Sequence, residues 1–164
     1  VKVRKIMRDG YERNTNLPTA GFTAGPCLLK DTMQLSAFNG GNFLLGQAAM
    51  NINEGLPHFI VEKLKNNFKL KTKTVGILGM SFKAGIDDIR DSLSYKLGKI
   101  LKFNGCKVLF SDEYVKDKTF TSKKELIKKS DLIIIATPHL SYSKIKFPKS
   151  KLVINIWSNS ILDE

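Results

Sequence analysis

A chain of 164 residues, 42% hydrophobic and 26% charged, can bury a core of its own and falls outside the disordered and disulfide-scaffold classes. Its 27 basic against 15 acidic residues give a formal charge of +12, which raises nucleic acid or an anionic membrane as a partner. The basic residues are mostly lysines spread over helix faces (Lys96, Lys99, Lys102; Lys123, Lys124, Lys128, Lys129). No aromatic interleaving and no nucleic-acid motif accompanies them, so no nucleic acid is expected as partner. No run of about 18 apolar residues is present, so no membrane partner is expected either. The two cysteines, Cys27 and Cys106, fit neither a disulfide framework nor a metal cluster; a soluble protein of the reducing cytoplasm, without metal, is expected. The sequence begins at Val1 with no starting signal of its own, and a piece of a longer polypeptide is expected.

Residues 1–16, with Arg4, Arg8, Arg13 and Tyr11, are too short and polar for a core and are expected to fray. The stretch Gly21-Phe22-Thr23-Ala24-Gly25-Pro26-Cys27-Leu28-Leu29-Lys30-Asp31-Thr32 then delivers a cysteine to the start of an apolar-periodic helix over residues 28–38. Unpaired N–H groups and the positive end of the helix dipole favour thiolate there. Lys30 adds a positive charge, Asp31 can accept a proton or hold a water, and Gly21 and Gly25 permit close approach of the backbone to a ligand. A lone cysteine is also commonly a small buried hydrophobe, so local chemistry leaves both readings open.

Asn39-Gly40-Gly41-Asn42 breaks the chain, and residues 43–68 read as one long helical region. Gly55-Leu56-Pro57 in its middle predicts a kink near Glu54 or two abutting helices, with His58 partly exposed or packed. Lys71-Thr72-Lys73 is a charged hinge. Beyond it, strands over 74–78, 107–110, 132–136 and 152–156 alternate with helices over 92–103 and after Ser122, whose Glu125 completes a capping box. That alternation predicts an α/β fold, a doubly wound parallel sheet of four strands that binds ligands at its carboxyl edge. Lys83 and Arg90 lie on the first edge loop around Asp87-Asp88, an arrangement that also suits an ordinary salt-bridged loop. His139 is expected to make a structural hydrogen bond, and Trp157 either to stack on a base or to plug the edge. Gly76 and Gly79 do not form the G-x-G-x-x-G dinucleotide fingerprint.

Two motifs carry a resemblance. Gly-x-x-x-Gly-x-Cys-Leu-x-Lys-Asp-Thr resembles the active-site loop of the UDP-glucose/GDP-mannose dehydrogenase family. Gly79-Met80-Ser81-Phe82-Lys83 followed by Asp87-Asp88-Ile89-Arg90-Asp91-Ser92 is similar to a segment of that family's C-terminal domain. The resemblance implies a Rossmann-like sheet preceded by a helical dimerisation region, divided here into residues 1–70 and 71–164, with the N-terminal NAD-binding domain absent. It implies NAD-dependent, two-step oxidation of a nucleotide-sugar alcohol to a carboxylate for polysaccharide precursors, in a homodimer built on the central helix. In that picture Cys27 carries the thioester and Asp31 handles water. Lys83, Gly25, Phe22 and Arg13 meet the nucleotide sugar, while Lys30 and Arg90 meet NAD. The fragment alone is not expected to turn over. The sequence departs from the family in having Asn155 where many relatives are acidic and no arginine after Arg90, which puts in doubt the family's usual C-terminal phosphate clamp and with it which sugar nucleotide is bound. A non-catalytic nucleotide-binding or dimerisation module is the alternative.

Overall fold

The computed structural model describes residues 2–14, 17 and 19–158. Four short apolar runs form its strands: β1 (Thr74–Leu78), β2 (Lys107–Ser111), β3 (Leu132–Ile135) and β4 (Leu152–Asn155). All pair in parallel, in the order β2-β1-β3-β4. β1 and β3 are central and almost wholly buried, which is why neither shows polar alternation, whereas the edge strands β2 and β4 are half-exposed. The register sets Leu78 level with Ser111 and Ile135, and Ile135 level with Asn155. The four strand exits therefore open along one edge.

Each face of the sheet is covered by a helix. α4 (Leu93–Phe103) buries Leu93, Leu97 and Leu101 on one face, in a core shared with Val75, Ile77 and Ile134. Asn104 and Gly105 then end it, with the Gly105 N–H donating to the Lys102 carbonyl. α5 (Lys123–Lys129) buries Leu126 with Leu78, Ile133 and Ile135 on the other face. Ser122 caps α5 as expected, its hydroxyl oxygen accepting the Glu125 N–H at 3.3 Å.

Ahead of the sheet, α2 (Leu28–Phe38) packs on α3 (Leu44–Asn67), which packs in turn on α4 through Ile60, Val61 and Leu64. α3 runs unbroken through Pro57, which corrects the expectation of two abutting helices. Proline deletes one backbone donor, but tertiary contacts hold the helix together: Pro57 itself is buried, and Lys96 on α4 donates to the Glu54 carbonyl at 2.7 Å and to its carboxylate at 3.2 Å. The expected fraying is also corrected within the described residues. Lys2–Arg8 forms a short exposed helix, α1, and Glu12–Asn14 a 3-10 turn. Side-chain bonds fold this segment on itself: Arg4 Nε donates to the Leu17 carbonyl and Asn14 Nδ2 to the Met7 carbonyl, both at 2.9 Å. Among the described residues no helix is long and apolar enough to cross a membrane.

Leu97 is fully buried in the core, whereas Phe103 on the same helix is 93% exposed. Leu97→Ala is expected to cost about 2–5 kcal/mol and Phe103→Ala less than about 0.5 kcal/mol, measured by urea unfolding.

Candidate functional site at the sheet edge

β1 feeds β2 on one side of the sheet and β3 lies on its other side, so the chain diverges between β1 and β3, where open α/β sheets form ligand crevices. The loops at this point touch. Gly79 has φ +93°, and a Cβ there would lie 2.6 Å from the Thr137 backbone nitrogen. Four segments meet in a cleft of about 320 Å³: Phe22, Thr23 and Ala24 of the cysteine loop, Phe82, Lys83 and Ala84 after β1, Pro138 after β3, and Trp157 after β4. Its size suits a small-molecule ligand.

The cysteine loop is seated on two aromatic rings. A Cβ on Gly25, which has φ +125°, would lie 3.0 Å from the Phe82 ring, and a Cβ on Gly21 would collide with the Trp157 indole. Trp157 is fixed in turn by donating Nε1–H to the Ala136 carbonyl at 2.8 Å and its backbone N–H to Asn155 Oδ1 at 3.0 Å. From the other side Asn53 of α3 clamps Thr23: Oδ1 accepts the Thr23 N–H at 3.1 Å and Nδ2 donates to the Thr23 carbonyl at 2.6 Å.

Cys27 is exposed at the N-cap of α2, its carbonyl accepting the Asp31 N–H at 2.7 Å. Lys30 donates to the Asp31 carboxylate, and the bond and charge of that partner push the ammonium pKa up, with a smaller push from Cys27. Arg90 forks onto Asp88, Nε lying 3.1 and 3.0 Å from the two carboxylate oxygens and Nη2 2.6 Å from Oδ2. This bond holds Asp88 below the ordinary carboxylate range and raises Arg90, which also feels Cys27. Two cations therefore lie within electrostatic reach of the thiol.

Beneath the β1 loop, Asp112 follows β2 directly. Its Oδ1 accepts the Tyr114 and Val115 N–H groups at 2.8 and 3.0 Å, and its Oδ2 faces the amides of Met80 and Ser81 together with His139. Both side chains of the Asp112–His139 pair are completely buried. Burial alone would raise the Asp112 carboxyl. The bonds from His139 and the Met80, Tyr114 and Val115 amides outweigh burial and hold it well below the usual range.

The sequence profile of the UDP-glucose/GDP-mannose dehydrogenase family, UDP binding domain, matches residues 76–163. The chain belongs to this family. It is 31% identical over 128 residues to the UDP-N-acetyl-D-mannosamine dehydrogenase of Pyrococcus horikoshii, covering 75% of this chain and 30% of that protein. Over 91 residues it is 37% identical to the UDP-glucose 6-dehydrogenase of Haloferax volcanii, covering 54% and 21%. The solved structure of the Pyrococcus horikoshii UDP-D-ManNAc dehydrogenase superposes with a TM-score of 0.78 at 28% identity, over 99% of this chain and 41% of that one. The UDP-glucose dehydrogenase of Pyrobaculum islandicum has the same fold, with a TM-score of 0.81 at 22% identity over 96% and 40%. The chain thus spans 30% or less of the length of these two curated relatives.

Of the residues singled out from the sequence of this family member, Phe22 and Lys83 line the cleft, and Gly25 lies under Phe82 beside it. Cys27 and the Lys30–Asp31 pair lie at the start of α2, and Arg90 is paired with Asp88; none of the four is among the residues that line the cleft. Arg13, exposed on the Glu12–Asn14 turn, is not among the residues that line the cleft. His139 makes structural hydrogen bonds as expected, and His58 is exposed. Sequence reasoning missed Asn53, whose clamp joins positions 30 apart and leaves no local signal. It also missed Asp112, although an acidic residue directly after a strand lies by topology on the binding edge. Asn155 accepts the Trp157 N–H, a bond a carboxylate would also make, so this departure from the family pattern leaves the turn intact.

Because its folded pKa is depressed, Asp112 contributes stability that is present above about pH 4 and is lost as pH falls toward the folded value. Asp112→Asn is expected to lower stability at pH 7 by about 2–4 kcal/mol and to flatten the acid limb of stability against pH. An unchanged acid limb in denaturant titrations would contradict this assignment.

Proposed function

We propose that this chain is the central helical region and the nucleotide-sugar-binding domain of an NAD-dependent nucleotide-sugar 6-dehydrogenase acting on a UDP-sugar or GDP-mannose, in the synthesis of polysaccharide precursors. The observation that carries the reading is the cleft itself, which the cysteine loop and the loop bearing Lys83 line together. Lys83 offers a mobile positive charge to a diphosphate, and Phe22, Phe82 and Trp157 offer ring faces to a base. Gly25, under Phe82, sets the loop backbone against the bound sugar, and Arg13 is assigned to the sugar nucleotide of a neighbouring subunit.

NAD supplies the hydride acceptor for both oxidations. The edge of this sheet does not fit a dinucleotide, because it lacks the glycine fingerprint and Asp112 already takes the Met80 and Ser81 amides. The cofactor is therefore assigned to an N-terminal domain outside this chain, with Lys30 and Arg90 facing it from this side. The part of the reaction that belongs to this chain is covalent. The Cys27 thiolate adds to the aldehyde carbon left by the first oxidation, giving a thiohemiacetal. After the second oxidation the sugar is held as a thioester; Asp31 accepts a proton from the attacking water, and the thiolate leaves as the carboxylate forms. The apolar face of α2 and α3, with Phe38 92%, Leu45 81% and Ile52 70% exposed, is assigned to that domain and to a second copy in a homodimer.

Calorimetric titration tests the binding half. UDP and one UDP-sugar are expected to bind the chain, and Lys83→Ala to weaken them by about 1.5–3 kcal/mol, the worth of a charge-assisted bond; equal binding by the variant would remove Lys83 from the site. Alkylating Cys27 in the full-length polypeptide is expected to abolish formation of the carboxylate product while leaving UDP binding intact. Unimpaired product formation would reduce the chain to a binding and dimerisation module.

A further inference from the structure

A closed circuit of largely part-buried hydrogen bonds runs beneath the loop that carries Phe82 and Lys83. The Gly85 N–H donates to His139 Nδ1 at 3.1 Å, and Nε2 of the same ring lies 3.1 Å from Asp112 Oδ2. That oxygen also accepts the Met80 and Ser81 N–H groups at 2.6 and 3.1 Å. Thr137 Oγ1 adds a bond to the Ser81 carbonyl at 2.6 Å, and Ser81 Oγ donates to the Lys83 carbonyl at 2.9 Å. Tyr114 and Tyr142 pack against the imidazole, with ring centroids 4.9 and 5.2 Å away. Residues 80–85 are thus tied down at both ends, and the three residues between the ties are the ones that line the cleft.

The partners fix the tautomer. A ring nitrogen that accepts an amide N–H carries no proton, so Nδ1 is bare and the proton sits on Nε2, where it donates to the Asp112 carboxylate. A buried charge of this kind is seldom the most stabilising way to fill a space, since an apolar pair of equal volume often does as well. An apolar pair would not fix where each amide of the segment points. We propose that Asp112 and His139 are positioning residues for the nucleotide cleft, latching residues 80–85 so that Phe82 and Lys83 meet the ligand in one arrangement. The inference rests on the nucleotide-binding reading above.

The test is nitrogen-15 NMR with hydrogen exchange on the chain, using UDP as the probe. In the unaltered chain His139 is expected to carry its proton on Nε2, and the Gly85 amide to exchange slowly, more slowly still with UDP bound. His139→Gln, which can still donate to Asp112 but offers no acceptor at the Nδ1 position, is expected to release the Gly85 amide and weaken UDP binding roughly tenfold. His139→Asn, whose amide oxygen can take the Gly85 N–H, is expected to recover part of that loss. A proton on Nδ1 in the unaltered chain, or a Gln variant that binds UDP as tightly as the unaltered chain, overturns the proposal. The measurements on the unaltered chain decide the matter even where the Gln variant does not fold. Failure of the unaltered chain to bind UDP would instead overturn the binding reading beneath it, and that result appears before any variant is made.

Discussion

Two aromatic rings seated over two glycines hold the cysteine segment to the sheet. Phe82 leaves the end of β1 and Trp157 the end of β4, while Gly25 and Gly21 come from a loop far upstream of either strand. A side chain at Gly21 would overlap the Trp157 indole, and one at Gly25 would crowd the Phe82 ring and strain a backbone held at φ +125°. The spacing of the glycines thus reflects the spacing of the rings along the carboxyl edge. That edge is in turn fixed by the parallel register, which brings Leu78, Ser111, Ile135 and Asn155 level.

Charge is distributed with comparable economy. The net positive charge is carried largely by lysines away from the cleft, while the charges near Cys27 are locally balanced: Lys30 by Asp31, Arg90 by Asp88. Balanced pairs at exposed positions are individually weak and can exchange partners at little cost. A cation paired this way remains available to an incoming phosphate. Asp112, by contrast, is buried and bonded on both oxygens, and it changes partners only if the loop above it unfolds.

Most of the scaffold was legible from the sequence because its signals are local. Uninterrupted apolar runs marked β1 and β3, the Ser122–Glu125 spacing marked the start of α5, and Asn104-Gly105 marked the end of α4. Where one of the alternatives failed, a distant contact overrode a local preference: Pro57 allowed a kink or two abutting helices, and the structure has one helix, with Pro57 buried and Lys96 bonded to the Glu54 carbonyl. The candidate site could be picked out from residue types, but its assembly could not. Cys27, Lys83 and Phe22 were visible as residue types in motifs. Nothing local announces that Asn53 grips Thr23, or that Trp157 sits on Gly21, because those partners are 30 and 136 positions apart.

The carboxylate at Asp112 has an evolutionary consequence. Strand-edge amides are the part of an open sheet that every sequence shares, and a phosphate gripped by them is recognised in the same way whatever the side chains are. Here those amides are occupied from within the chain, so a ligand meets only Phe82, Lys83, Ala84 and their neighbours across the cleft. Side chains can be exchanged one at a time without disturbing the backbone that bears them. A lineage carrying this architecture could therefore change what the cleft accepts by single substitutions on a loop whose backbone is held from below.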